Sequence, residues 1–117
     1  MDARDDALKG ESTDAVETPV VAPGNVHARH LYPVLVPAAA RDGLLGHLHA
    51  AGVGCGVHYR VPLHLHPNLA HLGYGRGDFP NAEDATARLL SLPLHPHLDP
   101  GDQERVVEVL IEGLARV

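Results

Sequence analysis

The sequence predicts a small two-layer α/β lobe, with short strands alternating with helices around one core. Three observations carry this. Apolar and β-branched runs bounded by turn residues alternate with stretches of helical period, in the order strand, helix, strand, helix, strand, helix. The length, 117 residues, suits one domain with a modest core. Hydrophobic residues make up 44% and aromatics only 3%, so that core must be built from Leu, Val and Ala. No internal repeat interrupts the pattern.

Residues 1–25 are polar and acidic, with Asp2, Asp5, Asp6, Glu11, Asp14 and Glu17 against Arg4 and Lys9. They end in the turn signal Pro23-Gly24-Asn25 and are expected to form a mobile segment or a poorly tied first helix. Residues 26–117 form the domain proper. His30 to Val36 reads as a strand, and Pro33, which has no N–H to donate, assigns it to a sheet edge or a bulge. Residues 40–51 read as a helix, because Leu44, Leu45, Leu48 and Ala51 recur at spacings of three and four. Gly52 fits the position after the helix, where positive φ is needed. Val53 to Tyr59 reads as a second short strand. Asn68 to Leu72 fits one helical turn stopped by Gly73. The cluster Gly73-Tyr74-Gly75-Arg76-Gly77 is a turn, with Tyr74 read as an aromatic covering the core. Asp78 or Asn81 is placed to cap a helix over 80–90. Leu89 to Leu94 is the third extended run. The last helix, 101–116, has Val107, Leu110, Ile111 and Leu114 on its apolar face, with Asp102 and Arg116 matching the helix dipole at either end. Three short strands leave open edges and a wide sheet face, as in a lobe that packs against something larger.

The formal charge of −6 and the scattered arginines argue against nucleic-acid binding, which needs a basic face. No run approaches the roughly 20 apolar residues of a membrane span. The start, Met-Asp-Ala-Arg-Asp-Asp, is unlike a signal peptide. Cys55, the only cysteine, excludes an internal disulfide. A cytoplasmic protein is the expectation. Cys55, between Gly54 and Gly56, is expected to be a small buried side chain rather than a reactive thiol.

Ten histidines, among them His47-Leu48-His49, His64-Leu65-His66 and His95-Pro96-His97, raise a metal-binding reading. The members of each pair point to different faces, and no acidic or cysteine ligand stands at a matching spacing. No metal site is therefore assigned, and a His-rich metal-binding protein stays an alternative.

The most specific signal is Ala51-Gly52-Val53-Gly54-Cys55-Gly56-Val57-His58-Tyr59-Arg60-Val61-Pro62-Leu63-His64. It resembles the C-terminal domain of the DegT/DnrJ/StrS family, the pyridoxal-phosphate (PLP) sugar aminotransferases of fold type I. There a helix ends in Ala-Gly-Ile and a strand leads into a His-Tyr-Pro-x-Pro-Leu-His loop. Three further blocks resemble the family in order: His30-Leu31-Tyr32-Pro33-Val34; Gly73-Tyr74 with Gly77-Asp78-Phe79-Pro80 and Ala82-Glu83; and Ser91-Leu92-Pro93-Leu94-His95-Pro96. Two positions depart from it. Cys55 stands where the family has a small hydroxyl residue, and Arg60 where it has proline.

The resemblance implies an α/β (α+β) fold: a short, mostly antiparallel sheet with helices packed on one face. It implies a reaction in which PLP, held by a lysine, takes an amino group from a donor and passes it to a keto-sugar linked to a nucleotide. Such a site needs a Schiff-base lysine, a carboxylate at the pyridine nitrogen, an aromatic or His over the ring, and phosphate donors at a helix N-terminus. The only lysine, Lys9, lies in a context, Ala-Leu-Lys-Gly-Glu-Ser, unlike the family's lysine motif. No catalytic or cofactor-binding residue is therefore expected here. PLP would be held by a large domain preceding residue 1, and the chain alone would be inactive. By the same resemblance His58, Tyr59 and His64 line the sugar-nucleotide pocket. The equally weighted alternative for His58 and Tyr59 is that they merely shape a strand end. The partners implied are the large catalytic domain or a full-length family chain, the nucleotide-sugar, and a second subunit in a homodimer of the complete enzyme. A stand-alone, non-catalytic binding or assembly module of the same fold is the remaining alternative.

Overall fold

The computed structural model describes residues 15–116. The expectations for residues 1–14, including a first helix and the role of Lys9, lie outside the described residues. The elements are strand β1 (Tyr32–Leu35), helix α1 (Ala38–Ala50), two 3₁₀ turns (Leu63–Leu65 and Pro67–Leu72), helix α2 (Pro80–Arg88), strand β2 (Leu89–Leu92) and helix α3 (Pro100–Arg116).

β1 and β2 pair antiparallel, with Tyr32 opposite Leu92, Pro33 opposite Ser91, Val34 opposite Leu90 and Leu35 opposite Leu89. Opposed residues share a face. Tyr32, Val34, Leu90 and Leu92 therefore face the core, while Pro33, Leu35, Leu89 and Ser91 form the other face. Two single-residue bridges extend the sheet. Glu17 exchanges both backbone hydrogen bonds with Leu35 at 2.9 Å, and Gly56 does the same with Ser91 at 3.2 and 2.7 Å. Ser91 thus spends its backbone groups on Gly56, so its pairing with Pro33 falls at a position without ladder hydrogen bonds. The missing N–H of Pro33 then points to the outer edge, as expected for a strand proline.

The core lies between the sheet and the two helices α1 and α3, which pack against each other. Val34, Val36, Leu44, Leu48, Leu90, Val109 and Leu110 are all fully buried. Leu45, Ala51, Ile111 and Leu114 pack at its margin. The periodicities of both helices are thus realised, although α3 is rotated enough to bury Val106 and Val109 as well. α1 ends as predicted: Gly52 adopts φ +82, and its N–H donates to the His49 carbonyl at 3.0 Å. Pro67–Leu72 forms the expected turn, stopped by Gly73 at φ +83.

Three details differ from expectation. Val53 to Tyr59 is not a strand, and its backbone pairs with the sheet only at Gly56. Gly54 and Gly56 have no side chains to pack on a pleated surface, so nothing holds the flanking residues in a ladder. Neither Asp78 nor Asn81 caps α2: the residue before its first turn is Phe79, and no side chain bonds there in the capping manner. The Asp78 carboxylate turns back to accept from the Gly75 amide at 2.7 Å, and Glu83 takes over the start of the helix. Tyr74 is half exposed and lies edge-on to Phe79, with ring centroids 4.9 Å apart, rather than over the core. Among the described residues no helix is long and apolar enough to cross a membrane.

Candidate functional site

The segment leaving Gly56 runs beneath the non-core face of the sheet, and this places His58. Its Nδ1 lies 3.0 Å from the Ser91 hydroxyl, a side chain that register sends away from the core. The next peptide bond, His58–Tyr59, is cis. The Tyr59 ring stands edge-on to His58 at 5.5 Å and is 70% exposed. Arg60 continues the loop and reaches α1, where Asp42 Oδ1 accepts from Arg60 Nη1 at 3.1 Å and from Arg41 Nε at 3.0 Å. The hydrogen bonds from Arg60 and then Arg41 hold the Asp42 carboxyl below its ordinary range. Arg60 thus ties the loop to α1.

Arg41 itself is buried. Its guanidinium donates to the Thr86 carbonyl at 2.7 Å and to the Leu89 carbonyl at 3.3 Å, closing the C-terminal end of α2 where it runs into β2. This ties α1 to the wall of the groove described next.

Beyond Arg60 the chain forms one side of an open, largely apolar groove of about 440 Å³, with α2 on the other. Tyr59, Val61, Pro62 and Leu63 line the first side, and Phe79, Ala82, Ala85 and Thr86 the second. His64 and His66 also line it. Tyr59 and His64 are therefore brought to one groove. His58 is not on its wall but supports Tyr59 from behind.

His64 is the buried member of this group, and its partner is Glu83, with Nε2 to Oε2 at 3.3 Å. Glu83 also accepts from the Gly77 amide at 2.9 Å on both oxygens and from the Phe79 amide at 3.3 Å. The Gly77 amide first, then His64 and the Phe79 amide, hold the Glu83 carboxyl below its usual value against the opposing effect of burial. Glu83 and Ser91, which anchor the two predicted histidines, stand in the sequence only as members of family-like runs, with no role assigned to them. A glutamate in the first turn after Pro80 was the available signal for one of them. Ser91 carried no signal beyond its place in the family-like run.

The other expectations resolve simply. Cys55 is half-buried, and burial pushes its thiol up, away from reactivity. His49 Nε2 donates to the Cys55 carbonyl at 2.9 Å, while the His47 ring packs against Gly113 of α3. Among the described residues no three His, Cys, Asp or Glu side chains converge as metal ligands.

PLP does not fit the described residues. Residues 15–116 contain no lysine to anchor it. The Gly77 and Phe79 amides just before α2 already donate to Glu83, and at the start of α3 the Asp102 amide donates to Asp99 Oδ1 at 2.8 Å, so a phosphate at either place would compete with a carboxylate already bound.

Comparison with known proteins places this lobe. Residues 5–111 match the profile of the DegT/DnrJ/EryC1/StrS aminotransferase family. A pleiotropic regulatory protein of Geobacillus stearothermophilus is 41% identical over 85% of this chain and 26% of its own length. The dTDP-3-amino-3,4,6-trideoxy-alpha-D-glucose transaminase of Streptomyces venezuelae is 38% identical over 85% of this chain and 26% of its own. The crystal structure of S. venezuelae DesV in complex with a ketimine intermediate superposes on 97% of this chain and 30% of its own, with TM-score 0.85 and 35% identity. The chain thus spans about a quarter of the length of these curated relatives, and it belongs to the DegT/DnrJ/EryC1/StrS aminotransferase family.

Proposed function

We propose that this chain is the C-terminal lobe of a PLP-dependent aminotransferase acting on nucleotide-linked keto-sugars, and that it is inactive without the lobe that holds the cofactor. The observation that carries this reading is the superposition of nearly the whole chain on 30% of S. venezuelae DesV, solved in complex with a ketimine intermediate. The transaminase named for a dTDP-linked amino sugar supports the substrate class, and the lack of a lysine in residues 15–116 supports the dependence on a second lobe. In this reading residues 26–117 are the lobe proper and residues 1–25 lead into it.

The lobe's own contribution is to contact the substrate. Tyr59 presents a ring and a hydroxyl at the rim of the groove, and His58 holds Tyr59 while bonded to Ser91. His64 supplies a polar edge within the groove. These residue types suit a sugar ring and its hydroxyls. They do no bond-making chemistry.

A graft tests this. Residues 26–117 should replace the matching quarter of the S. venezuelae transaminase and leave PLP binding and transamination measurable. Within the graft, Tyr59→Phe should raise KM for the nucleotide-sugar about 5- to 10-fold, the loss of a hydrogen bond worth about 1 kcal/mol, with kcat little changed. A graft that folds and binds PLP, yet shows the same KM with Tyr59→Phe, His58→Ala and His64→Ala, would remove the substrate-contacting role.

A further inference from the structure

We propose that Glu83 is the positioning residue of His64: it holds the imidazole with its proton on Nε2 and leaves Nδ1 as a hydrogen-bond acceptor for a ligand O–H or N–H in the groove. The role at the groove rests on the aminotransferase reading above; the tautomer does not.

The geometry supplies the constraint in steps. Glu83 Oε2 lies 3.3 Å from His64 Nε2, and an ionised carboxylate only accepts. In the neutral imidazole the ring proton therefore belongs to Nε2, and Nδ1 is left as the acceptor. The carboxylate is itself immobile. Oε1 and Oε2 both accept from the Gly77 amide at 2.9 Å, and Oε2 also accepts from the Phe79 amide at 3.3 Å. Gly77 turns its amide inward at φ +97, a conformation suited to glycine. The two side chains are screened, His64 at 6% and Glu83 at 14% exposure, so solvent competes weakly for either partner.

The ring has no comfortable second orientation. Its edge meets Phe79 with centroids 4.9 Å apart at 61°, and Phe79 in turn lies edge-on to Tyr74 at 4.9 Å. Turning the imidazole over would set the carbon Cε1 against the carboxylate and forfeit the hydrogen bond. Nδ1 has no hydrogen-bond partner among the described residues, and His64 lines a groove whose walls are mainly Val61, Leu63, Phe79, Ala82 and Ala85. An acceptor in such a wall suits a sugar hydroxyl better than a phosphate oxygen, which would need a donor. Glu83 thus converts a turn-closing contact into a choice of ligand chemistry, in the way an outer carboxylate sets the tautomer of a ligating histidine.

Long-range proton–nitrogen correlation spectra of the full ¹⁵N-labelled chain test this without cofactor or substrate, so the outcome is separate from that of the aminotransferase reading. The expected native spectrum has the His64 proton on Nε2, slow to exchange with water. Glu83→Ala should give mixed tautomers and exchange as fast as in the exposed His30. Glu83→Gln, which keeps an oxygen for the Gly77 amide, should stay folded and lose part of the protection. A proton on Nδ1 in the native chain overturns the proposal outright, even if Glu83→Ala fails to fold. Unchanged Nε2 protonation and unchanged protection in the Gln variant overturn it as well.

Discussion

Leu90→Ala is expected to lower the stability of the chain by about 2–5 kcal/mol, read as a fall in the urea midpoint with an unchanged slope. Leu90 is fully buried, opposite Val34 in the sheet and in one cluster with Leu44, Leu48 and Leu110. The two-stranded sheet cannot slide to refill the space, since Ser91 beside it is bonded through its backbone to Gly56. The removed methyl groups therefore leave a cavity rather than a collapse. Small domains carry only about 5–15 kcal/mol of stability in all, so this single truncation removes a large share. Leu72→Ala is the matched control. Leu72 is 54% exposed at the end of a 3₁₀ turn, and its truncation should stay within about 0.5 kcal/mol of the native chain.

Gly113→Leu should be comparably severe, at about 3 kcal/mol, for the opposite reason. Gly113 lies in α3 where it crosses α1. A Cβ there would stand 2.7 Å from His47 Cδ2 and 2.9 Å from Leu44 Cδ2, closer than real Cβ atoms come. The helices meet at this distance only because position 113 has no side chain. Glycine inside a helix costs about 1 kcal/mol relative to alanine, so Gly113→Ala gains that amount in propensity and loses about 1–3 kcal/mol to overpacking. It should come out neutral to mildly destabilising. Gly46→Ala is the informative contrast: the same exchange in α1, with nothing within 4 Å, should stabilise by about 1 kcal/mol. Thermal or urea unfolding of the three variants side by side separates packing from propensity. If Gly113→Leu is as stable as the native chain, the α1–α3 contact is not the tight crossing described.

The legible parts of the fold were those written locally. Leu44 and Leu48 announced the buried stripe of α1 by their spacing, Gly52 and Gly73 announced the ends of two helical segments, and Pro33 announced an edge. The short runs in β1 and β2 were legible as strands, but not their register, which depends on residues nearly sixty positions apart. The false strand over Val53–Tyr59 shows the limit. Its alternation of glycines and apolar residues reads as a strand, but only Gly56 makes a backbone pair with the sheet.

The candidate site was legible in part for a related reason. His58, Tyr59 and His64 stood in a run similar to a family motif, and two of them do meet in one groove. The residues that hold them, Ser91 and Glu83, come from a different stretch of chain. Arg41 is a similar case. An arginine on a predicted helix reads as surface, yet its guanidinium is buried because two carbonyls at the end of α2 need donors. Side chains that satisfy distant backbone groups leave no periodic trace in the sequence.

The dependence of this lobe on another for its cofactor is tested most directly by an absorbance titration of the purified chain with PLP, then with glutamate, alongside Lys9→Ala. The expected result is no saturable Schiff-base band that glutamate converts, and no difference between the native chain and Lys9→Ala. A stoichiometric band that glutamate shifts, and that Lys9→Ala abolishes, would show a working cofactor site within these 117 residues and contradict the reading of the chain as a lobe that relies on another for PLP.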